Sequence, residues 1–259
     1  MWAIPLLRPL HRFSRSIKTG SSSRPMSRLE SLPRMNAKPA LTRSAAAAHP
    51  FDPSCRQCPR LTAYRDENQR LHPHYHNAPV AAFGESDARL LIVGLGPGLH
   101  GANATGRPFT GDYAGALLYQ TLHEFGFSEA AESRHAGDGL RLRDCRITNA
   151  LRCVPPQNRP EPGELRSCRG YLRHDLALQP PSGVILALGR VAHEAVLRAL
   201  DLRLRDFPFA HGALQRLPDQ RPLLSSYHCS RYNTATGRLT SAMFAAVMAQ
   251  ARDLLSDDD

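Results

Sequence analysis

Short apolar segments alternate with helix-like segments along most of this chain, and that alternation is the strongest constraint on its fold. Strand–helix alternation of this kind predicts an α/β protein with a largely parallel sheet covered by helices on both faces. The predicted strands span residues 89–94, 145–151, 183–189 and 223–227. The predicted helices span residues 113–126, 160–178, 190–200 and 240–255.

Three polar or glycine-rich segments follow the ends of these predicted strands. They span residues 94–112, 149–153 and 227–238. In open α/β sheets, ligands bind at the carboxyl ends of the strands. We therefore expect these segments to converge on one site.

Charge divides the chain into two parts. Residues 1–50 contain nine Lys or Arg and one acid, whereas residues 51–259 contain 24 Arg and 22 acids. The first part is interpreted as a disordered basic leader, either transit-like or an over-long reading frame, and residues 51–259 as one domain. Because this domain is nearly neutral, nucleic acid must contact a local patch. It contains no lysine, which excludes Schiff-base catalysis by a lysine there.

Hydropathy and cysteine usage indicate where the protein works. No run of about 18 apolar residues occurs, so no membrane-spanning helix is predicted. Six cysteines in 259 residues do not make the dense pattern of a small secreted scaffold. We expect a reducing, cytoplasmic location, or a mitochondrial one if residues 1–50 are a genuine transit peptide.

Four cysteines suggest a metal-centred clamp between distant parts of the domain. They are Cys55, Cys58, Cys153 and Cys168. The spacing fits four thiolates around zinc or an iron–sulfur cluster, although buried or disulfide-linked cysteines would give the same pattern. The remaining two, Cys145 and Cys229, are interpreted as non-ligands.

The glycine-rich segment GLGPGLHGANATGRPFTGD spans residues 94–112. It matches neither a P-loop nor GxGxxG, so nucleotide binding is only a weak alternative. At its end, Phe109 and Asp112 could face a base and a reacting sugar. From the local pattern alone, core packing for Phe109 and a helix N-cap for Asp112 are the better interpretations.

Two further segments contain candidate site residues. Asn149 lies in an apolar strand, where a buried amide reads a base edge or ties down a loop. His228 follows a strand and precedes a polar loop suited to phosphate contacts and duplex insertion, or to a solvated turn. The candidate DNA-binding residues of that loop are Arg231, Asn233, Thr236 and Arg238.

Taken together, four segments resemble the family-5 (type b) uracil-DNA glycosylases. They are CRQCPRLTAYR (55–65), the glycine-rich segment, ITNALRCVPPQNRP (147–160) and SYHCSRYNTATGRLT (226–240). The resemblance covers roughly residues 52–253 in the expected order. Family-4 enzymes have an acidic residue early in the glycine-rich motif, and GLGPGLHG has none.

The resemblance implies a three-layer α/β/α sandwich with a central four-stranded parallel sheet. It also implies that the four cysteines bind a structural [4Fe–4S] cluster, with zinc as the alternative. The protein would be a monomer that acts on duplex, or also single-stranded, DNA without a membrane partner. It would hydrolyse the N-glycosidic bond of uracil, hypoxanthine, xanthine or modified pyrimidines, leave an abasic site, and have no lyase step.

Site roles also follow from the resemblance. Phe109 would stack on the extruded base, Asn149 would bind its edge, and His228 would contact its carbonyl. Asp112 would assist water attack or stabilise the sugar cation, and Gly96 would lie beside the base. Two departures from the family pattern are Cys229, where proline is usual, and Gly96, where alanine is frequent.

Two other classes of function remain as alternatives. One is a non-catalytic iron–sulfur module that binds DNA. The other is a nucleotide-binding α/β enzyme, which would bind mononucleotides tightly without requiring DNA.

Overall fold

The computed structural model describes residues 50–256, which form one six-stranded sheet with helices on both faces. The strands are Phe83–Gly84 (β1), Leu90–Gly94 (β2), Cys145–Asn149 (β3), Val184–Leu188 (β4), Leu214–Arg216 (β5) and Pro222–Ser226 (β6). The helices are Pro59–Leu71 (α1), Ala102–Thr105 (α2), Tyr113–Glu124 (α3), Pro162–Leu178 (α4), Arg190–Ala199 (α5), Arg231–Ala235 (α6) and Ser241–Ser256 (α7). The predicted leader, apart from residue 50, lies outside the described residues.

All four predicted strands are present, in the sheet order β1-β3-β2-β4-β6-β5. The inner strands β3, β2, β4 and β6 are parallel to one another, as expected. The sheet is larger than the predicted four-stranded parallel sheet, because β1 and β5 add an antiparallel strand at each edge. These edge strands have two and three residues, too few to produce a hydrophobic period in the sequence.

Alternate residues of β2 face two separate cores. Leu90 and Ile92 pack in one cluster with residues of α3 and α7, whereas Leu91 and Val93 pack in another with residues of α4 and α5. Fully burying an aliphatic side chain of this size contributes about 1.5–3 kcal/mol. Helical layers therefore hold the sheet from both faces, as the three-layer prediction requires.

The register aligns the carboxyl ends of the parallel strands. Gly94 at the end of β2 pairs with Asn149 at the end of β3, and Leu188 of β4 pairs with Ser226 of β6. The segments that follow these strands consequently leave the sheet at the same edge. Within residues 50–256, no helix is long and apolar enough to span a membrane.

Candidate active site

A cavity of about 670 Å³ opens at the carboxyl ends of the parallel strands. Its walls include the glycine-rich segment, the first residues of α3 and α5, and the segment after β6. The predicted site residues that line it are Gly96, Phe109, Asp112, His228, Arg231, Asn233 and Arg238. Thr236 and Asn149 do not line it, although Asn149 lies beside the Phe109 ring, as the contacts at Gly94 show.

Phe109 is held in an unusual backbone conformation at the cavity wall. Its φ is 53°, in the left-handed region that phenylalanine rarely adopts, and its side chain is buried. The preceding carbonyl, of Pro108, accepts hydrogen bonds from the Tyr119 hydroxyl at 2.9 Å and the Thr110 hydroxyl at 3.2 Å. Strain of this kind persists only where surrounding contacts over-determine it, and it clusters at functional sites. Phe109 therefore packs in the core, as its local pattern predicts, and it also lines the cavity.

Asn149 and Phe109 approach each other over Gly94. A Cβ atom built on Gly94 would meet the Asn149 Oδ1 atom and would lie 2.7 Å from two carbons of the Phe109 ring. Glycine is therefore required where β2 ends. The Asn149 side chain is 3% exposed, and its Oδ1 atom has no hydrogen-bond partner among the described residues. Buried acceptors are normally paired, so this oxygen has unused hydrogen-bonding capacity beside the Phe109 ring.

Asp112 has two roles that use different oxygens. Its Oδ1 atom accepts a hydrogen bond from the Gly115 amide at 2.9 Å and so caps α3. Its Oδ2 atom lies 2.5 Å from where a Cβ on Gly101 would be, which places it against the glycine-rich segment. Burial raises the pKa of Asp112, and hydrogen bonds from the Gly115 and Ala114 amides oppose that rise. The N-cap prediction is confirmed, and the same carboxylate lines the cavity.

His228 completes the group. Its ring centroid lies 5.8 Å from that of Phe109, with the planes inclined by 28°. Burial lowers the pKa of His228 to about 4, so the imidazole is neutral at pH 7. The Asn233 side-chain amide donates to the His228 carbonyl at 2.8 Å and fixes the backbone there. The next residue, Cys229, is fully buried in the core.

The predicted DNA-binding loop after His228 contains the short helix α6. Arg231 is exposed, and the Arg238 guanidinium lies 4.6 Å from the centre of the Tyr227 ring. The Thr236 hydroxyl donates to the Tyr232 carbonyl at 2.7 Å. Asn233 is turned towards His228, so the structure gives it a positioning contact in addition to its place on the cavity wall.

Sequence reasoning missed an aromatic wall of the cavity, formed by Phe209 and Tyr227. Their ring centroids are 6.2 Å apart, and Tyr227 also stacks on His211 at 5.0 Å. Arg190, at the start of α5, lies 5.5 Å from the Phe209 ring. Phe209 lies in an irregular segment without periodicity, so no local signal indicated that it would reach the cavity.

The four candidate ligand cysteines gather at a second, small cavity. Cys55 and Cys58 precede α1, Cys153 follows β3, and Cys168 lies on α4. All four are free thiols, packed with apolar residues that include Leu61. Within the described part of the chain, no group of three or more ligand-type side chains is arranged around a single ion.

Burial governs the chemistry of these thiols. It raises the pKa of Cys153 to about 11 and that of Cys168 to about 12, and it also raises the pKa of Cys58. The Arg152 amide donates to the Cys168 sulfur at 3.2 Å, which favours its thiolate. Cys145, inside β3, and Cys229 lie outside this cavity. Metal binding by these cysteines would require their thiolates, which a bound cation stabilises.

A flat ring, an amide, a carboxylate and an imidazole at the strand ends of an α/β sheet are the groups that a base-excising enzyme requires. The sequence profile of the Uracil DNA glycosylase superfamily matches residues 81–252, and the chain belongs to that superfamily.

Similarity to individual proteins supports the family-5 prediction. The chain is 50% identical to the type-5 uracil-DNA glycosylase of Thermus thermophilus over 207 residues, which cover 78% of this chain and 94% of the relative. It is 40% identical to the type-5 enzyme of Mycobacterium tuberculosis, over 77% of this chain and 78% of that protein. It is 38% identical to the type-5 enzyme of Pyrobaculum aerophilum, over 76% of this chain and 88% of that protein.

Proposed function

We propose that this protein is a DNA repair glycosylase that removes uracil from DNA. The observation that carries the proposal is the unpaired, buried Oδ1 atom of Asn149 beside the Phe109 ring. An acceptor next to an aromatic ring suits a nucleobase that presents an N–H group on its edge. The similarity to type-5 uracil-DNA glycosylases supports the same substrate.

Base binding divides between two side chains. The nucleotide must rotate out of the stack, at a cost of a few kcal/mol. Stacking on Phe109 returns about 1–3 kcal/mol. Asn149 Oδ1 then accepts the N–H of the base edge, which distinguishes uracil from a base that lacks a proton at that position.

Bond cleavage uses Asp112 and His228. Water forms a bond to C1′ while the C1′–N bond breaks, and the electron pair leaves with the base. A neutral His228 donates a hydrogen bond to the base carbonyl, where negative charge develops. The ionised Asp112 accepts a proton from the water or stabilises the positive sugar, and the departing base is finally protonated.

The product is an abasic site, without strand cleavage by the enzyme. A lyase step through a Schiff base needs an amine, and residues 51–259 contain no lysine. Borohydride trapping of a DNA–protein adduct during turnover would count against this monofunctional mechanism.

The range of bases extends beyond uracil. The cavity of about 670 Å³ lies in the middle of the range of small-molecule sites and leaves room for a purine such as hypoxanthine or xanthine. Positively charged side chains on the cavity walls would attract the phosphate backbone of DNA. They belong to Arg190, Arg231 and Arg238.

We infer that the protein acts as a monomer inside the cell, on duplex DNA and also on single strands.

The four thiols at the second cavity suit a [4Fe–4S] cluster, which would supply a structural cross-link when bound. Cys55, Cys58, Cys153 and Cys168 would hold it, and the four thiols around one cavity support this assignment. Zinc is the alternative occupant of the same four thiolates.

The direct test is an assay on duplex DNA with one uracil, followed by alkali. Strand cleavage after alkali, and none before it, is expected. Parallel duplexes with hypoxanthine, xanthine or no damaged base define the substrate range. Binding of the uracil duplex without release of free uracil would instead support a non-catalytic DNA-binding module.

A further inference from the structure

Two buried arginines beside the four cysteines have hydrogen-bond donors without partners among the described residues. Arg152 is 2% exposed, and its Nε and Nη1 atoms are unpaired. Arg65 is 5% exposed, and its Nε atom is unpaired. A buried charged donor without an acceptor is costly, so native proteins pair such groups. Each unpaired atom thus indicates an acceptor that the described chain does not supply.

Both arginines lie close to the candidate ligand cysteines, on different elements. Arg152 follows β3 and lines the cavity, and its main-chain amide already donates to the Cys168 sulfur. Arg65 lies on α1, and its Nη2 atom donates to the Cys55 carbonyl at 2.8 Å. The Arg65 guanidinium is thereby held on the segment that contains Cys55.

The charge around the cavity is only partly balanced by carboxylates. The Arg152 Nη2 atom pairs with buried Asp175, which also accepts from the Thr148 hydroxyl at 2.6 Å. Arg65 forms no ion pair with any described carboxylate. The site thus keeps positive charge and unused donors where four thiols meet.

We propose that Arg65 and Arg152 compensate the charge of an anionic cysteine-held centre and donate hydrogen bonds to its sulfur atoms. The inference rests on the cluster assigned under the proposed function. A [4Fe–4S] core with four thiolates is an anion, and nearby cations and N–H donors stabilise its reduced state more than its oxidised state. Removing either arginine is expected to lower the reduction potential.

The test compares reduction potentials of cluster-loaded proteins, measured by redox titration followed by electron paramagnetic resonance. The variants are Arg65→Met and the double variant Arg152→Met/Asp175→Asn, in which no buried carboxylate is left unpaired. Arg65→Met is expected to decrease the ratio of reduced to oxidised centre at a fixed potential by about tenfold, equal to about 59 mV for one electron. The double variant removes one positive and one negative charge, so only the loss of N–H donors acts, and a smaller decrease is expected. Arg56→Gln is the matched control. Arg56 adjoins Cys55 but is exposed and pairs with Asp66 at 2.5 Å, so no shift is expected.

Iron and acid-labile sulfide are measured on the same samples. If the variants contain iron and sulfide and their reduction potential equals that of the wild type, the inference is overturned and the cluster assignment stays intact. A wild-type protein without iron and sulfide overturns the cluster assignment, and the inference falls with it. If the double variant loses its iron, the reduction potential of Arg65→Met alone tests the inference.

Discussion

The Asn149 Oδ1 atom and the Phe109 ring meet over the bare Cα of Gly94, at the carboxyl end of β2. The amide comes from β3, and the ring comes from the end of the glycine-rich segment. Their proximity gives the proposed base site both a stacking face and an edge acceptor. It also leaves no room for a side chain at Gly94.

Gly94→Ala is expected to inactivate the enzyme without unfolding it. The new methyl group would lie 2.7 Å from carbons of the Phe109 ring and would displace that ring or Asn149. A displacement of about 1 Å costs about 10²-fold in rate. Uracil release and circular dichroism test this, with Gly163→Ala as the control, because the nearest atom to its Cβ is the end of a flexible side chain at 3.7 Å. Normal activity of Gly94→Ala would contradict the site geometry.

Asn149→Leu is expected to lower the rate of uracil release by about 10²–10³-fold, the cost of removing one preorganised polar partner. Its melting temperature should stay the same or rise, because an unpaired buried acceptor costs about 1–3 kcal/mol. The neighbouring Thr148→Val should behave oppositely, since its hydroxyl donates to Asp175 at 2.6 Å and stabilises the fold. Equal losses of stability in both variants would indicate a structural role for Asn149.

Asp112→Asn and Asp112→Ala separate the two roles of this carboxylate. Both variants are expected to lose activity strongly, because neither has the charge. Only the alanine variant should also lose about 1 kcal/mol of stability, since asparagine still caps α3. Single-turnover rates and urea unfolding provide the measurements. An active asparagine variant would remove Asp112 from the mechanism.

Acid should destabilise the protein partly through His228. Burial lowers its pKa to about 4, whereas an unfolded chain keeps a histidine pKa of about 6.5. The unfolded state therefore binds more protons between these values, and stability falls as pH decreases from about 6.5 to about 4. His228→Asn should decrease this dependence in urea unfolding. The substitution should not abolish the pH dependence, because burial also lowers the pKa of His193 and His211. An unchanged dependence would contradict the neutral His228.

Cys153→Ser should abolish iron binding and lower the melting temperature, because the clamp between α1, α4 and the segment after β3 would be lost. Cys145→Ala is the control, since Cys145 is buried in β3 away from the cysteine cavity. The iron content of Cys145→Ala should equal that of the wild type. Full iron content and colour in Cys153→Ser would overturn the ligand assignment.

Local sequence patterns predicted much of the fold. The four inner strands and the four long helices after them follow from hydrophobic periodicity, which depends on neighbouring residues alone. The Asp112 cap of α3 could also be predicted, because a helix cap depends on residues close together in the chain. The edge strands β1 and β5 could not be predicted, because two or three residues are too few to show a hydrophobic period. Such short strands form only where the edge of a neighbouring strand is available for pairing.

By itself, the sequence determined the α/β class, the order of the four inner strands and the helices that follow them along the chain, and the candidate side chains. Only the tertiary structure decided that Asn149 meets Phe109 at Gly94, that Asn233 turns to His228, and that Phe209 and Tyr227 form a wall. The physical reason is that such contacts depend on strand register and backbone conformation, such as the φ of 53° at Phe109. These are set by packing between residues far apart in the chain, which no local pattern records.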